Sequence, residues 1–158
     1  MTAWRRRFTA RRLALGLVVA LGIIQLIPVE RTNPPVLADV HAPAEVQAIL
    51  RGACYDCHSH ETRWPWYSRV APVSWMVTHH VKEGRGDLNF SDWPRLDFEE
   101  QEHAFKDIRE QITKGKMPLR GYTWMHREAR LSEAQRAALV AWAASATGMA
   151  TGTGEKDD

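Results

Sequence analysis

The chain has 158 residues, a formal net charge of +2 and two cysteines. That length accommodates one modest domain plus an appendage and excludes a large multidomain architecture. Five arginines fall within residues 1–12 and the rest of the chain is net acidic, so the slight basicity is local and indicates no nucleic-acid partner.

Residues 1–12 carry Arg5, Arg6, Arg7, Arg11 and Arg12 and no acidic residue. An apolar run follows from Leu13 to Val29, interrupted by Gly16, Gly22, Gln25 and Pro28. A basic segment ahead of an apolar run is the pattern of a membrane anchor or a secretory signal. The run has 17 residues, at the short end of the roughly 17–25 that span a bilayer as a helix. The expectation is a single transmembrane helix over 13–29, with residues 1–12 cytoplasmic and the remainder outside the cytoplasm, on the periplasmic side of the inner membrane. Val36-Leu37-Ala38 is the alternative, a cleavage site. Residues 30–42, with Asn33-Pro34-Pro35 and Ala42-Pro43, are expected to form an extended linker.

The main domain is expected over 43–148. Val46, Ile49, Leu50, Ala53, Cys54 and Cys57 fall at i, i+3, i+4, i+7, i+8 and i+11, one apolar stripe at helical spacing. On that stripe Cys54-Tyr55-Asp56-Cys57-His58 reads C-x-x-C-H, the pattern for covalent attachment of a c-type haem. Two thiols that close can reach the two vinyl groups of one porphyrin, and His58 then supplies an axial imidazole to iron. A redox dithiol is the competing reading, but the βαβ alternation that would accompany it is missing. Zinc would need four ligands, and the adjacent pair His79-His80 has the wrong spacing.

Trp64-Pro65-Trp66-Tyr67-Ser68 is an aromatic cluster that fits either a porphyrin wall or plain core. Residues 70–84 read as a helix with Val73, Met76, Val77, His80 and Val81 on its apolar side, ended by Gly84 and Gly86. Residues 88–94 read as a loop. Asp97 with Glu100 forms a capping-box start for a helix whose apolar side is Phe98, Phe105, Ile108 and Ile112 and which stops at Gly115. Met117-Pro118 follows on an irregular stretch. A methionine in that setting can present its thioether to iron, whereas Met76, Met125 and Met149 suit the usual role of adaptable core filler. The rival ligand is His80. Residues 119–130 read as a loop. Ser132 with Gln135 is a second capping box, opening a helix with Ala138, Leu139, Trp142 and Ala146 in a stripe, and residues 149–158 read as a disordered tail. The predicted class is all-α.

The stretches Cys54–Ser59 and Glu61–Ser68, together with Ala71-Pro72-Val73-Ser74-Trp75, Leu88-Asn89-Phe90-Ser91 and Met117-Pro118, resemble the small bacterial haem-binding domain family related to c-type cytochromes. The resemblance covers roughly residues 30–147. It implies a cytochrome c-like helical domain around one haem c, with Cys54, Cys57 and His58 as the attachment set. Met117-Pro118 is similar to the distal Met-Pro pair of class I cytochromes c, although the aromatic segment before it departs from the smallest of them. The expected function is electron transfer by a His/Met-ligated haem, at a membrane, with redox proteins of a respiratory chain as partners, rather than enzymatic catalysis. The alternative is a haem-based sensor or peroxidase-like enzyme with an open distal site, in which His60, His80 or His126 would act on the bound ligand.

Overall fold

The computed structural model describes residues 2–151, with side chains described from 9 to 147. Seven α-helices occur among these residues: α1 (Thr2–Ile24), α2 (Ala44–Ala53), α3 (Tyr55–His58), α4 (Val73–Asp87), α5 (Phe98–Thr113), α6 (Arg120–Met125) and α7 (Glu133–Thr151). The one extended pairing among them is a parallel bridge between Ala38 and Asp92. The all-α expectation holds. The chain divides into two compact units, Met1–Thr32 with Trp64–His80, and Asn33–Arg63 with Val81–Asp158.

In the first unit, α1 continues from the arginine-rich segment into the apolar run and stops at Ile24. The turn beyond it is made by Gln25, Leu26 and Ile27 bonding back to Gly22, Ile23 and Ile24. The Gln25 amide then grips the Ala71 backbone at both ends, accepting from its N–H at 2.9 Å and donating to its carbonyl at 3.1 Å. Arg31 donates to the Ser68 carbonyl at 3.1 Å. The expected transmembrane helix over 13–29 is therefore corrected. Among the described residues no helix is long and apolar enough to cross a membrane. The helical apolar part runs only from Leu13 to Ile24, about 18 Å at 1.5 Å per residue against a hydrocarbon core of about 30 Å.

The second unit has its core on α2, α5 and α7. Val46, Ile49, Leu50 and Ala53 are the buried face of α2, at the predicted spacing. Phe105, Ile108 and Ile112 of α5 meet Leu139, Trp142 and Ala143 of α7. Phe90 and Trp93, from the segment between α4 and α5, stack at 6.3 Å, and Trp93 continues to Phe105 at 5.0 Å and Phe105 to Trp142 at 5.3 Å. Both capping boxes form. Asp97 and Glu100 exchange side-chain-to-backbone bonds of 2.9 Å each, and Ser132 and Gln135 do the same at 3.2 and 2.9 Å.

Several local expectations are corrected. Residues 33–42 are extended, but Val40 is buried in the core, so this stretch is pinned rather than a free spacer. The helix expected to run unbroken through the motif is interrupted at Cys54, where φ is −122°. Gly84 and Gly86 lie inside α4 and do not end it. Phe98 opens α5 and is exposed, because its position precedes the buried stripe. Residues 119–130 contain α6 and a 3-10 turn, Arg127–Ala129, with no buried residue on α6 and hence no apolar period to betray it. Met76, Met125 and Trp66 are exposed, so neither methionine is core filler, and within the aromatic cluster Trp64 and Tyr67 are half-buried. Helix α7 runs to Thr151, and the rest of the expected tail lies outside the described residues.

Candidate functional site

A cavity of about 420 Å³ opens in the second unit beside α2, α3 and α5, within the ~300–1,000 Å³ typical of cofactor and ligand sites. Leu50, Ala53, Phe90, Ile108, Ile112 and Leu139 give it apolar walls. Three predicted site residues reach it: Cys54, His58 and Met117. Cys57 stands one helical turn from Cys54 and is half-buried. His80 belongs to the other unit, half-buried on α4.

Each of these groups is placed by local structure. Helix α5 ends in a Schellman turn: Gly115 donates to Ile112 at 3.1 Å and Lys116 to Gln111 at 3.0 Å. Gly115 has φ of +62°, a left-handed conformation that suits glycine because it has no Cβ. The turn reverses the chain after α5 and delivers Met117 to the cavity. His58 is held from the other side. Its Nδ1 lies 2.8 Å from the Gly84 carbonyl and 3.0 Å from the Leu88 carbonyl. Carbonyl oxygens only accept, so Nδ1 carries the proton and Nε2 keeps a free lone pair. That is the tautomer a metal-binding imidazole needs, fixed by an outer hydrogen bond. The His58 carbonyl in turn accepts from Phe90 N–H at 2.8 Å.

Asp56, between the two cysteines, locks the turn. It is buried. Oδ1 accepts from the Arg63 N–H at 3.0 Å and from its Nε at 3.1 Å. Oδ2 accepts from Arg63 Nη2 at 3.0 Å and from the Tyr122 hydroxyl at 2.7 Å. Arg85 closes the motif's exit, donating to the Ser59 carbonyl at 2.7 Å and to the Thr62 hydroxyl at 2.9 Å. Thr62 donates onward to the Asp56 carbonyl at 2.9 Å. Sequence reasoning missed the roles of Gly84, Arg85 and Tyr122 because each acts across a long stretch of chain with no periodic or motif signal, and that of Arg63 because a bond seven residues back to Asp56 follows no local motif.

Burial tends to raise the Asp56 carboxyl, but the Arg63 and Tyr122 hydrogen bonds overcome it and hold the group below the usual carboxylate range. Burial and the facing Asp56 carboxylate push the Tyr122 hydroxyl up, so it remains a donor. A carboxyl depressed by folding contributes stability above its unfolded value of about 3.9, and that stability is lost as pH falls through the folded value. Asp56→Asn is therefore expected to flatten the acid limb of the unfolding curve below about pH 4. At neutral pH it should cost about 1–2 kcal/mol. The cost stays modest because Arg63 is 63% exposed and its share of the pairing is screened by water. Urea unfolding at pH 3 and pH 7 checks both halves, and an unchanged acid limb refutes the assignment.

Burial also pushes the Cys54 thiol up to about 12 and the Cys57 thiol up to about 11. At neutral pH both are thiols, poorly suited to attack a disulfide. The alternative distal histidines are occupied elsewhere. His60 Nδ1 lies 2.9 Å from the Pro35 carbonyl and its Nε2 lies 2.8 Å from Asn89 Nδ2. His126 Nδ1 lies 3.0 Å from the Glu128 carboxylate, and its ring stacks on Tyr122 at 4.3 Å. His103 is exposed and stands at the cavity rim beside Asp107.

The chain matches the model of the family described as haem-binding domain over residues 19–145. No curated protein and no solved structure matches the chain.

Proposed function

The chain belongs to the haem-binding domain family, and from that premise we propose that it is an electron carrier holding one haem c, ligated by His58 and Met117 and anchored at a membrane. The observation that carries the proposal is the His58 ring, whose Nδ1–H is committed to the Gly84 and Leu88 carbonyls while the residue lines a cavity shared with Cys54 and Met117. The donor set fits the group: two thiols one turn apart, an imidazole in the metal-binding tautomer, a thioether and apolar walls.

The bound haem supplies one-electron chemistry. Cys54 and Cys57 would hold it through thioether links, each Sγ–H adding across a vinyl C=C with the sulfur on one carbon and the proton on the other, so no atom is lost. His58 would offer Nε2 to the iron, and the two carbonyls on Nδ1 would keep the ring from turning and raise its basicity. Met117 would offer a soft thioether, which favours the reduced state and raises the potential. If His58 and Met117 both held the iron, a substrate would have no open site there, which favours electron transfer over a peroxidase-like or sensing role. The neighbouring polar groups of His60 and His126 lend the latter no support, being engaged away from the cavity. Membrane anchoring is supported by α1 and the turn after it. Leu13, Leu15, Leu17, Val18, Ile23 and Leu26 are all more than half exposed, apolar around the whole helix, behind a cluster of arginines.

The test is optical. Met117→Ala is expected to remove the long-wavelength sulfur-to-iron band of the ferric protein, lower the potential and admit carbon monoxide to the ferrous form. His80→Ala is expected to change none of these. Retention of the band in the Met117 variant and its loss in the His80 variant would make the ligation bis-histidine.

A further inference from the structure

The first unit turns an apolar surface outward where its helical period suggests a core. On α4 the buried positions are Ser74, Val81 and Gly84, while Val73, Trp75 and Met76 are 38%, 36% and 53% exposed. The apolar face read from the sequence is thus rotated towards solvent in its first two turns. Just before α4, Trp66 is 75% exposed and Val70 is 44% exposed. Trp66 leads a 3-10 turn, Trp66–Arg69, and stands 5.8 Å from the Tyr67 ring. An exposed apolar patch of this kind marks a surface that is covered by something else.

Two observations identify the cover. The patch is tied to the end of the apolar helix, because Gln25 holds Ala71 through both amide ends and Arg31 holds Ser68. Leu26 and Ile27 at that same end are 81% and 51% exposed, so the end of the helix presents apolar surface as well. The charge is also one-sided. Residues 64–80 hold no acidic residue, while Arg69 is exposed. Exposed tryptophans, aliphatic side chains and cations without acids are the composition of a segment lying at the headgroup boundary of a bilayer, where amphipathic rings are favoured. The short helix gives a reason for such a segment. An apolar helix of about 18 Å does not reach across a hydrocarbon core of about 30 Å, so further contacts at the surface would add to its hold.

We infer that residues 64–80 form a second membrane contact, a phospholipid-interface platform in which Trp66, Val70, Trp75 and Met76 enter the headgroup region beside the carboxyl end of α1. This rests on the membrane-anchored reading above and adds a site to it. The platform doubles the attachment of the unit: the helix supplies depth, and the aromatic segment supplies lateral grip on the surface.

The experiment uses the full-length haem-loaded protein reconstituted in phosphatidylcholine–phosphatidylglycerol vesicles that carry a photoactivatable phospholipid. Labelled peptides are mapped by mass spectrometry after irradiation. Label on both α1 and residues 64–80 is expected. In Trp66→Ser combined with Trp75→Ser, label on 64–80 should be lost while label on α1 and the haem spectrum stay as in wild type. Label on α1 alone in wild type overturns the platform and leaves the anchor standing. Label on neither overturns both. Undiminished label on 64–80 in the double variant removes the tryptophans from the contact and overturns the platform as drawn.

Discussion

Replacement of Cys54 and Cys57 together by alanine is expected to abolish covalently held haem completely. Thioether bonds survive denaturation, so wild type matured in a cytochrome c maturation background should give a haem-stained band on a denaturing gel, and the double variant none. The expected loss is total because among the residues of the chain only these two are cysteines. The paired thiols also bear on the competing dithiol reading. With Cys54 pushed up to about 12 and Cys57 up to about 11, the folded apoprotein should react slowly with alkylating reagents at pH 7, since the thiolate is the reactive form. A stain-negative wild type with fast-reacting thiols would replace haem attachment by dithiol exchange.

Gly84→Ala is expected to be destabilising, against the ordinary rule for a glycine within a helix. Replacing an interior helical glycine by alanine usually gains up to ~1 kcal/mol. At Gly84 an added Cβ would lie 2.7 Å from the Cys57 carbonyl oxygen and 3.2 Å from the Cys57 Cβ. Backbone cannot swing aside as a flexible side chain can, so overpacking of ~1–3 kcal/mol outweighs the gain. The clash also displaces the carbonyl that orients His58 Nδ1, so a lower yield of haem-loaded protein should accompany the loss of stability. Gly86→Ala is the control. It lies on the same helix with nothing within 4 Å of the added Cβ, and should be neutral or slightly stabilising. Chemical denaturation of the two variants decides the matter; equal midpoints would remove the close approach as the reason for Gly84.

The same glycine shows why part of the site was hidden. Gly84 and Gly86 look alike in sequence and read as a helix stop. The structure uses Gly84 to bring α4 against the motif turn and leaves α4 running to Asp87. Only the identity of the opposing surface separates a stop from a close approach, and that surface lies 27 residues away at Cys57. Gly115 is the opposite case. Its role as a helix end was legible because the Schellman turn is local, built from bonds between Gly115, Lys116 and the last turn of α5.

The apolar run from Leu13 shows a third pattern. Its composition is plain in the sequence, but its helical length is not, since Gln25 is captured by Ala71 and the chain leaves the helix there. Hydropathy counts residues; a distant hydrogen-bond partner decides how many of them are helical. The same is true of α4, where the period placed Val73 and Met76 inward and the structure buries Ser74 instead.

What the sequence determined by itself is therefore what short-range physics controls: the all-α class, the buried stripe of α2, both capping boxes, the stop at Gly115, and the cysteine pair with its adjoining histidine. What only the tertiary structure decided is everything that depends on a partner remote in the chain. Gly84 and Leu88 set the tautomer of His58, and Arg63 and Tyr122 hold Asp56 ionised. Cys54, His58 and Met117 come to line one cavity. Caps and turns close over a few residues and leave a signature there, whereas a carbonyl that aims an imidazole carries no side-chain identity for the sequence to display.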